Sequence, residues 1–477
     1  MYDKYNHDYI YIYQRGIFQM VKTRQSELEQ LDLYYKSQDS SIVVLYYPCG
    51  TDPFPLLDEY TQDRVCAYYL ARAASDRQQR HLWGLELKAK GMSIARWPSY
   101  DEILYVIHKG AGNAPLILMI EHFEYLFHEK NDFFAALIRL TQQSKGNGKV
   151  VVLLMTDQVV YAQQHMLDEI GDAAQEISGL VRLRDVPFYE LLNGPGESSF
   201  RTMLLFYGTV GGQTLRLSCF DPHKSYKENI CRQLLAPNGL LRIQVQKLLD
   251  GQLREPSVYN TILCEMAAGN DKLNDIFHVT GFPRAKIAVY LKNLMQLELV
   301  EKVFSYGNSG IRNTRKGVYR IKDPLISFWF RFIYPWESSL KLMPEEKFYD
   351  IFISAGLQQH MNRCFAAICR EWIMRRNAAG QLPVSIAEYG TWEGKDGSID
   401  FVGQAEDGDT VLGICAWDRK QTAADLAWLL SCEKKAGLNG KYIYFFSGAG
   451  FDAALIRIAQ QEQGRIRLTG MEELQNE

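Results

Sequence analysis

The sequence predicts an α/β protein in several parts: a parallel-sheet domain, a helical segment, a winged helix-turn-helix, and a smaller C-terminal α/β domain. Three observations carry this. Continuous apolar runs at Ile42–Tyr47, Leu116–Ile120 and Val150–Met155 alternate with helical patterns, as strands buried on both faces of a parallel sheet do. Between Pro256 and Ile321, three short helical patterns precede two short strand patterns. From Ile386 onward, strand patterns return with a helix among them.

In chain order, residues 1–22 form a tyrosine-rich leader, for which a tail and an added strand both remain open. Leu28, Leu31 and Leu33 among charges predict a helix from Arg24 to Ser37. The strand Ile42–Tyr47 follows, and helices are expected at Leu56–Ser75, Tyr100–His108 and Phe133–Ser144. The pattern breaks at Asn193-Gly194-Pro195-Gly196 and gives way to helices and loops, a lid-like segment. The winged helix comprises helices Pro256–Ala268, Lys272–Thr280 and Arg284–Gln296 and strands Val300–Tyr306 and Gly317–Ile321, with Gly281-Phe282-Pro283 as the turn. Pro324–Trp336 is densely aromatic: core between domains is the plainer reading, and a partner-docking surface the sharper one. A helix at Leu357–Arg375 opens the last domain, with strands Ile386–Trp392, Ser398–Gln404, Val411–Trp417 and Lys441–Phe446 and the helix Ala423–Ala436. The expected domains are therefore 23–195, 196–255, 256–335 and 336–477, after the 1–22 extension.

Composition narrows the function classes. The chain has 477 residues and a net charge of −3, so any hold on nucleic acid or membrane must come from a local patch. Nine dispersed cysteines without a C-x-x-C pair fit free thiols in a reducing cytoplasm rather than a zinc site or disulfide framework. The N-terminus lacks the apolar core of a signal peptide, and the apolar runs are too short to span a bilayer.

The first strand runs into a turn and a helix start, where a phosphate-cradling loop G-x-x-x-x-G-K-[ST] would sit. Laid on this sequence, that loop places Tyr47 at the first glycine, Asp52 at the second, Pro53 at the lysine and Phe54 at the hydroxyl residue, with Gly50 and Thr51 between. All four chemical positions fail. Pro53 supplies neither charge nor N–H, and Asp52 sets a negative charge where phosphate would lie. The turn logic survives, with Asp52 as helix cap and Pro55 in the first turn. The partner motif is an apolar strand ending in two acids, one for Mg²⁺ and one for the attacking water. Here it ends in Glu121 and His122. Glu121 can still reach a metal through water, whereas His122 replaces the water-orienting acid; the plainer reading is a core strand followed by surface residues. Thr156 and Asp157 stand where a γ-phosphate sensor would be, or in an ordinary loop.

In the winged helix, Arg284, Lys286 and Lys292 on the third helix and Arg312, Arg315, Lys316 and Arg320 in the wing make a basic surface suited to duplex phosphates. Glu298 and Glu301 interrupt it, which leaves packing alone as the competing reading.

These pieces resemble the archaeal-type P-loop ATPases of the STAND/AAA+ kind, found in archaea and bacteria, which carry a winged helix and a C-terminal domain of unknown function related to restriction endonucleases. The likeness runs from about Val21 to the C-terminus. It rests on Arg254-Glu255-Pro256-Ser257-Val258-Tyr259, Thr280-Gly281, Tyr319-Arg320-Ile321-Lys322-Asp323-Pro324, Phe328-Trp329-Phe330-Arg331-Phe332 and Cys369-Arg370-Glu371. It implies an ATP-binding switch coupled to a DNA-facing winged helix and a nuclease-like module. The family's phosphate loop falls on residues 47–54 and its acids on 121–122, where this sequence departs from the pattern.

Restriction-like nucleases pair an Asp with an E-x-K on the next strand, so that two carboxylates hold Mg²⁺. Asp400 fits the first position, but the E-x-K falls on Ile414-Cys415-Ala416 and both charges are gone. Asp418-Arg419-Lys420 offers a displaced D-x-K, and Glu388 and Glu371 are further carboxylates. An inert nuclease-like fold is the plainer reading.

The sequence thus predicts a catalytically degenerate ATPase-family protein, acting as a scaffold or a regulator on double-stranded DNA, with protein partners, no membrane and no cofactor. The alternatives are an ATP- and Mg²⁺-binding switch with an unusual loop, and a Mg²⁺-dependent nuclease using Asp400, Asp418 and Lys420.

Overall fold

The structure, a computed structural model, describes residues 24–48, 50–127, 132–144, 148–192, 199–252, 255–307, 317–394, 397–462 and 464–476. The tyrosine-rich leader, Asn193-Gly194-Pro195-Gly196, Arg254, and the wing residues Arg312, Arg315 and Lys316 lie outside them.

The described chain forms two units, residues 24–186 with 213–215, and residues 187–212 with 216–476. The division falls after Val186 rather than at 195. The helix Phe188–Leu192 goes with the second unit, where the Glu371 carboxylate accepts the N–H groups of Phe188 and Tyr189 at 3.0 Å each. These are donors that the start of a short helix cannot satisfy internally.

The first unit is built on five parallel strands: β1 (Ser41–Tyr46), β2 (Val65–Leu70), β3 (Leu116–Glu121), β4 (Val150–Thr156) and β5 (Ile177–Arg182), in the order β2-β3-β4-β1-β5. The three apolar runs of the sequence are its three central strands, and β4 is buried at every position. Alternation of side chains divides them between two cores. Ile42, Val44, Leu118, Ile120, Val152 and Leu154 pack with the helices Tyr100–Ala111 and Phe133–Gln143. Val43, Leu45, Ile117, Met119, Leu153 and Met155 face Leu31, Leu56, Leu57 and Tyr60. Each such side chain, fully buried, contributes about 1.5–3 kcal/mol.

The helix expected over Leu56–Ser75 is shorter. It spans Phe54–Thr61, and Val65–Leu70 is the edge strand β2. Asp63, in the left-handed region at φ 59°, turns the chain between them. An edge strand is only half covered, so β2 lacks a continuous buried run and its aromatic residues extend the preceding helical pattern. The opposite edge, β5, was unpredicted for a related reason: Ser178 and Gly179 dilute it.

In the second unit the helices Pro256–Ala268, Leu273–Thr280 and Arg284–Gln296 are followed by an antiparallel pair, β6 (Val300–Val303) and β7 (Val318–Ile321), which completes the expected winged helix. Gly281, at φ 70°, closes the second helix in a conformation that favours glycine. The aromatic segment is core: Phe328, Trp329, Phe330 and Phe332 are buried in the helix Pro324–Phe332. Trp336, at the end of the segment, is 45% exposed, so the core reading holds for the helix and not for its whole length.

The C-terminal sheet has the order β12-β11-β10-β9-β8, with β8 (Ile386–Gly394), β9 (Gly397–Ala405), β10 (Thr410–Ala416), β11 (Gly440–Ser447) and β12 (Ile466–Gly470). Pairing is antiparallel from β8 to β10 and parallel from β10 to β12. The long helix Ser354–Ala378 lays Trp372 against Phe446 and Tyr444. Among the described residues, no helix is long and apolar enough to cross a membrane, and the eight cysteines are free thiols.

Candidate functional site

The carboxyl ends of parallel strands are where α/β sheets bind ligands. In the first unit this end gathers the loop after β1, the end of β3 and the end of β4. The loop enters the helix Phe54–Thr61 through an Asp52 carboxylate that accepts the Phe54 N–H at 3.0 Å. Pro53 is the residue at the cap position, one later than expected, and Asp52 satisfies a first-turn donor from outside. Burial raises the Asp52 carboxyl above its ordinary range, the Phe54 N–H opposes that rise, and Asp58 and Glu121 add to it. The buried Arg24 guanidinium, which the sequence reading missed, acts in the lowering direction; it is 3.9 Å from Glu27. Thr51 is buried, and its hydroxyl has no hydrogen-bond partner.

Tyr47, at the position of the loop's first glycine, is buried and donates its phenolic hydrogen to Glu121 Oε1 at 3.4 Å. Tyr68, from β2, donates to the other oxygen, Oε2. Both oxygens of the one acid in the magnesium position are thus held by phenols. Burial, then the carboxylates of Glu121 and Asp157, push the Tyr47 phenol well above its usual range, so it stays a donor.

His122 follows Glu121 in the left-handed region at φ 53°. Its Nδ1 lies 3.1 Å from Glu124 Oε1 and 3.9 Å from Asp157 Oδ1. The bond to Glu124 raises the imidazole above its ordinary value against the opposing effect of burial. Thr156 is buried at the end of β4, where its hydroxyl accepts the Gln158 N–H at 3.0 Å. Sequence reasoning singled out Glu121, His122 and Asp157 but missed Tyr68 and Glu124. Tyr68 lay in the segment read as helix, and Glu124 sits on the single turn Phe123–Leu126, which no periodicity reveals.

In the winged helix, Arg284 and Lys292 are exposed on the third helix, and Val289 is 56% exposed beside them. Arg284 lies 3.8 Å over the Phe277 ring and donates to Asn274 at 2.9 Å. Lys286 is half-buried, near the rings of Phe282 and Tyr290. Arg320 corrects the reading of the wing: it pairs with Glu393 on β8 and does not face a ligand. The root of the wing joins the same strand and its neighbour β9. The Tyr306 N–H donates to the Thr391 carbonyl at 2.7 Å, the Glu393 N–H to Ser305 Oγ at 2.8 Å, and the Tyr306 hydroxyl to Gln404 at 2.7 Å.

In the C-terminal sheet the Asp400 carboxylate accepts the Cys415 N–H at 2.8 Å, serving a donor on the adjacent strand. Burial raises this carboxyl, with Arg370 and Arg320 opposing. Asp418 bonds Arg201 at 2.8 Å and Gln358 at 2.6 Å, Lys420 and Glu388 are exposed, and Glu371 caps the helix Phe188–Leu192. The described residues bring one group of three potential metal ligands together, His122, Glu124 and Asp157, and neither Asp400 nor Asp418 belongs to it.

With a strand–turn–helix at β1 and an acid-tipped β3 two strands away in one parallel sheet, the fold of this unit is decided. It is a P-loop NTPase-like domain. Residues 329–426 match DUF234, a family of archaeal and bacterial proteins of unknown function. The chain is 23% identical over 387 residues to the uncharacterized protein MJECL04 of Methanocaldococcus jannaschii, covering 80% of this chain and 84% of that one. Among solved structures it is similar to the Walker-type ATPase PABY2304 of Pyrococcus abyssi (13% identity, 67% of this chain and 99% of the other, TM-score 0.47). It is also similar to the ORC2 protein of Aeropyrum pernix (13%, 69% and 96%, TM-score 0.44). The P-loop NTPase-like fold expected from the sequence is present in the five-stranded parallel sheet of this unit.

Proposed function

We propose that this protein is a catalytically degenerate P-loop ATPase relative that acts in the cytoplasm as a DNA-associated regulator through its winged helix. The observation that carries the first half is the capture of both Glu121 oxygens by Tyr47 and Tyr68. A carboxylate engaged by two phenols is a poor ligand for magnesium, which demands near-ideal octahedral oxygen geometry. Two more features oppose a magnesium–polyphosphate. Pro53 brings no cation to the lysine position, and the Asp52 carboxylate, already disfavoured by burial, would face further negative charge.

The second half rests on the third helix of the winged helix. Arg284–Gln296 contains Arg284, Lys286 and Lys292 and no acid, and its exposed face is otherwise small or apolar. Such a face meets phosphate without like-charge repulsion. The nuclease reading draws no support from Asp418, which is engaged by Arg201.

Two measurements on the full chain test the proposal. Calorimetry with ATP and Mg²⁺ is expected to show no micromolar binding, and fluorescence anisotropy with a labelled duplex is expected to show salt-dependent binding. Phosphate release that disappears in Glu121→Gln would instead establish the ATP-dependent switch.

A further inference from the structure

We propose that His122, Glu124 and Asp157 form a binding site for one divalent cation of the zinc class, independent of any nucleotide. The His122 Nδ1 stands 3.1 Å from Glu124 Oε1 and 3.9 Å from Asp157 Oδ1, and one donor atom from each residue lies within 4.8 Å of the others. With metal–donor bonds of about 2.0–2.2 Å, donors of a tetrahedral shell stand roughly 3.3–3.6 Å apart. The cluster brackets that spacing, so small side-chain rotations close it on an ion.

A second observation points to a missing partner. Glu124 Oε2 is buried and has no hydrogen bond, although its sister oxygen meets His122. A buried carboxylate oxygen left unpaired is costly, and a cation would satisfy it. Asp157 Oδ1 accepts the Gln158 side-chain amide at 2.9 Å, a bond that can hold the carboxylate in place as second-sphere donors do. The side chains are 30%, 11% and 23% exposed, in the order His122, Glu124, Asp157, so an ion can enter and water can complete the shell. Glu121 is not a ligand, since both its oxygens are taken by phenols, but its charge adds to the local negative field. Imidazole nitrogen with two carboxylates selects zinc, cobalt or manganese over magnesium, whose preference is for oxygen alone.

The test uses the full chain, stripped with chelator and titrated with Co²⁺ as a spectroscopic probe and with Zn²⁺ in a calorimeter. The expected result is one equivalent bound, visible ligand-field bands without sulfur-to-cobalt charge transfer, displacement by Zn²⁺, and no displacement by excess Mg²⁺. His122→Ala, Glu124→Gln and Asp157→Asn are each expected to weaken binding at least roughly tenfold. The latter two are isosteric and, checked by circular dichroism, stand in if His122→Ala fails to fold. No binding, thiolate charge transfer, displacement by Mg²⁺, or affinity unchanged in Glu124→Gln and Asp157→Asn would each overturn the proposal.

Discussion

Tyr47, at the end of β1, reaches past β4 to place its hydroxyl 3.4 Å from Oε1 of Glu121 at the end of β3. This contact makes the departure from a working phosphate loop cooperative across two strands. Restoring the missing cation alone should therefore fail: Pro53→Lys is expected to leave the Kd for ATP with Mg²⁺ weaker than about 1 mM. Gain of binding is expected only when Tyr47→Gly and Tyr68→Phe are added to release Glu121. Calorimetry on the single and combined variants checks the order.

Arg216 and Asp323 form an ion pair at 2.9 Å with side chains 3% and 8% exposed, and Asp323 also accepts the N–H groups of Leu325 and Ile326. Removing one partner strands the other's charge away from water. Asp323→Ala is expected to cost about 3–5 kcal/mol, read as a lowered urea midpoint of the second unit. Replacing both residues with apolar ones of similar size should recover much of that loss.

The pH dependence of stability should carry a mark of His360. Its ring packs between Phe328 and Phe332, it donates to the Gly208 carbonyl, and burial with the charges of Arg331 and Arg363 pushes it down to about 3. The unfolded chain, with a histidine near 6.5, binds more protons over that interval. The contribution is thus fully present above about 6.5 and is lost as pH falls toward 3. Because His360 retains some exposed surface, the slope is at most about 1.4 kcal/mol per pH unit. His360→Gln should flatten the acid limb of a denaturation series.

For duplex binding, Arg284→Ala and Lys292→Ala are each expected to weaken affinity evenly across sequences and to reduce the salt slope by about 0.9. Arg320→Ala should leave that slope alone and lower thermal stability instead, since its partner is Glu393. Anisotropy titrations at several salt concentrations, beside a melting curve, separate the two.

What the sequence makes legible follows burial. Val150–Met155 is apolar throughout because both faces of β4 are buried, and that run announces a strand. β2 is no less regular, yet its Tyr68 and Tyr69 serve an edge, and a half-covered edge leaves no run to read. The same blindness hid part of the site. Glu121 and His122 were visible as the tip of a buried strand, whereas Tyr68 arrives from the misread edge and Glu124 from a turn whose direction only the left-handed backbone of His122 fixes. Arg320 shows the converse: a positive residue beside a wing reads as a ligand contact until the facing Glu393, far along the chain, is placed.

Ser305, Tyr306 and Arg320 stitch the base of the wing to β8, the outermost strand of the C-terminal sheet. A tug on one is a tug on the other: the hairpin cannot swing aside without unfastening Thr391 and Glu393. Severed from that seam, a free-standing C-terminal fragment would present an uncovered margin of backbone donors and acceptors, the kind of border on which sheets of separate molecules join.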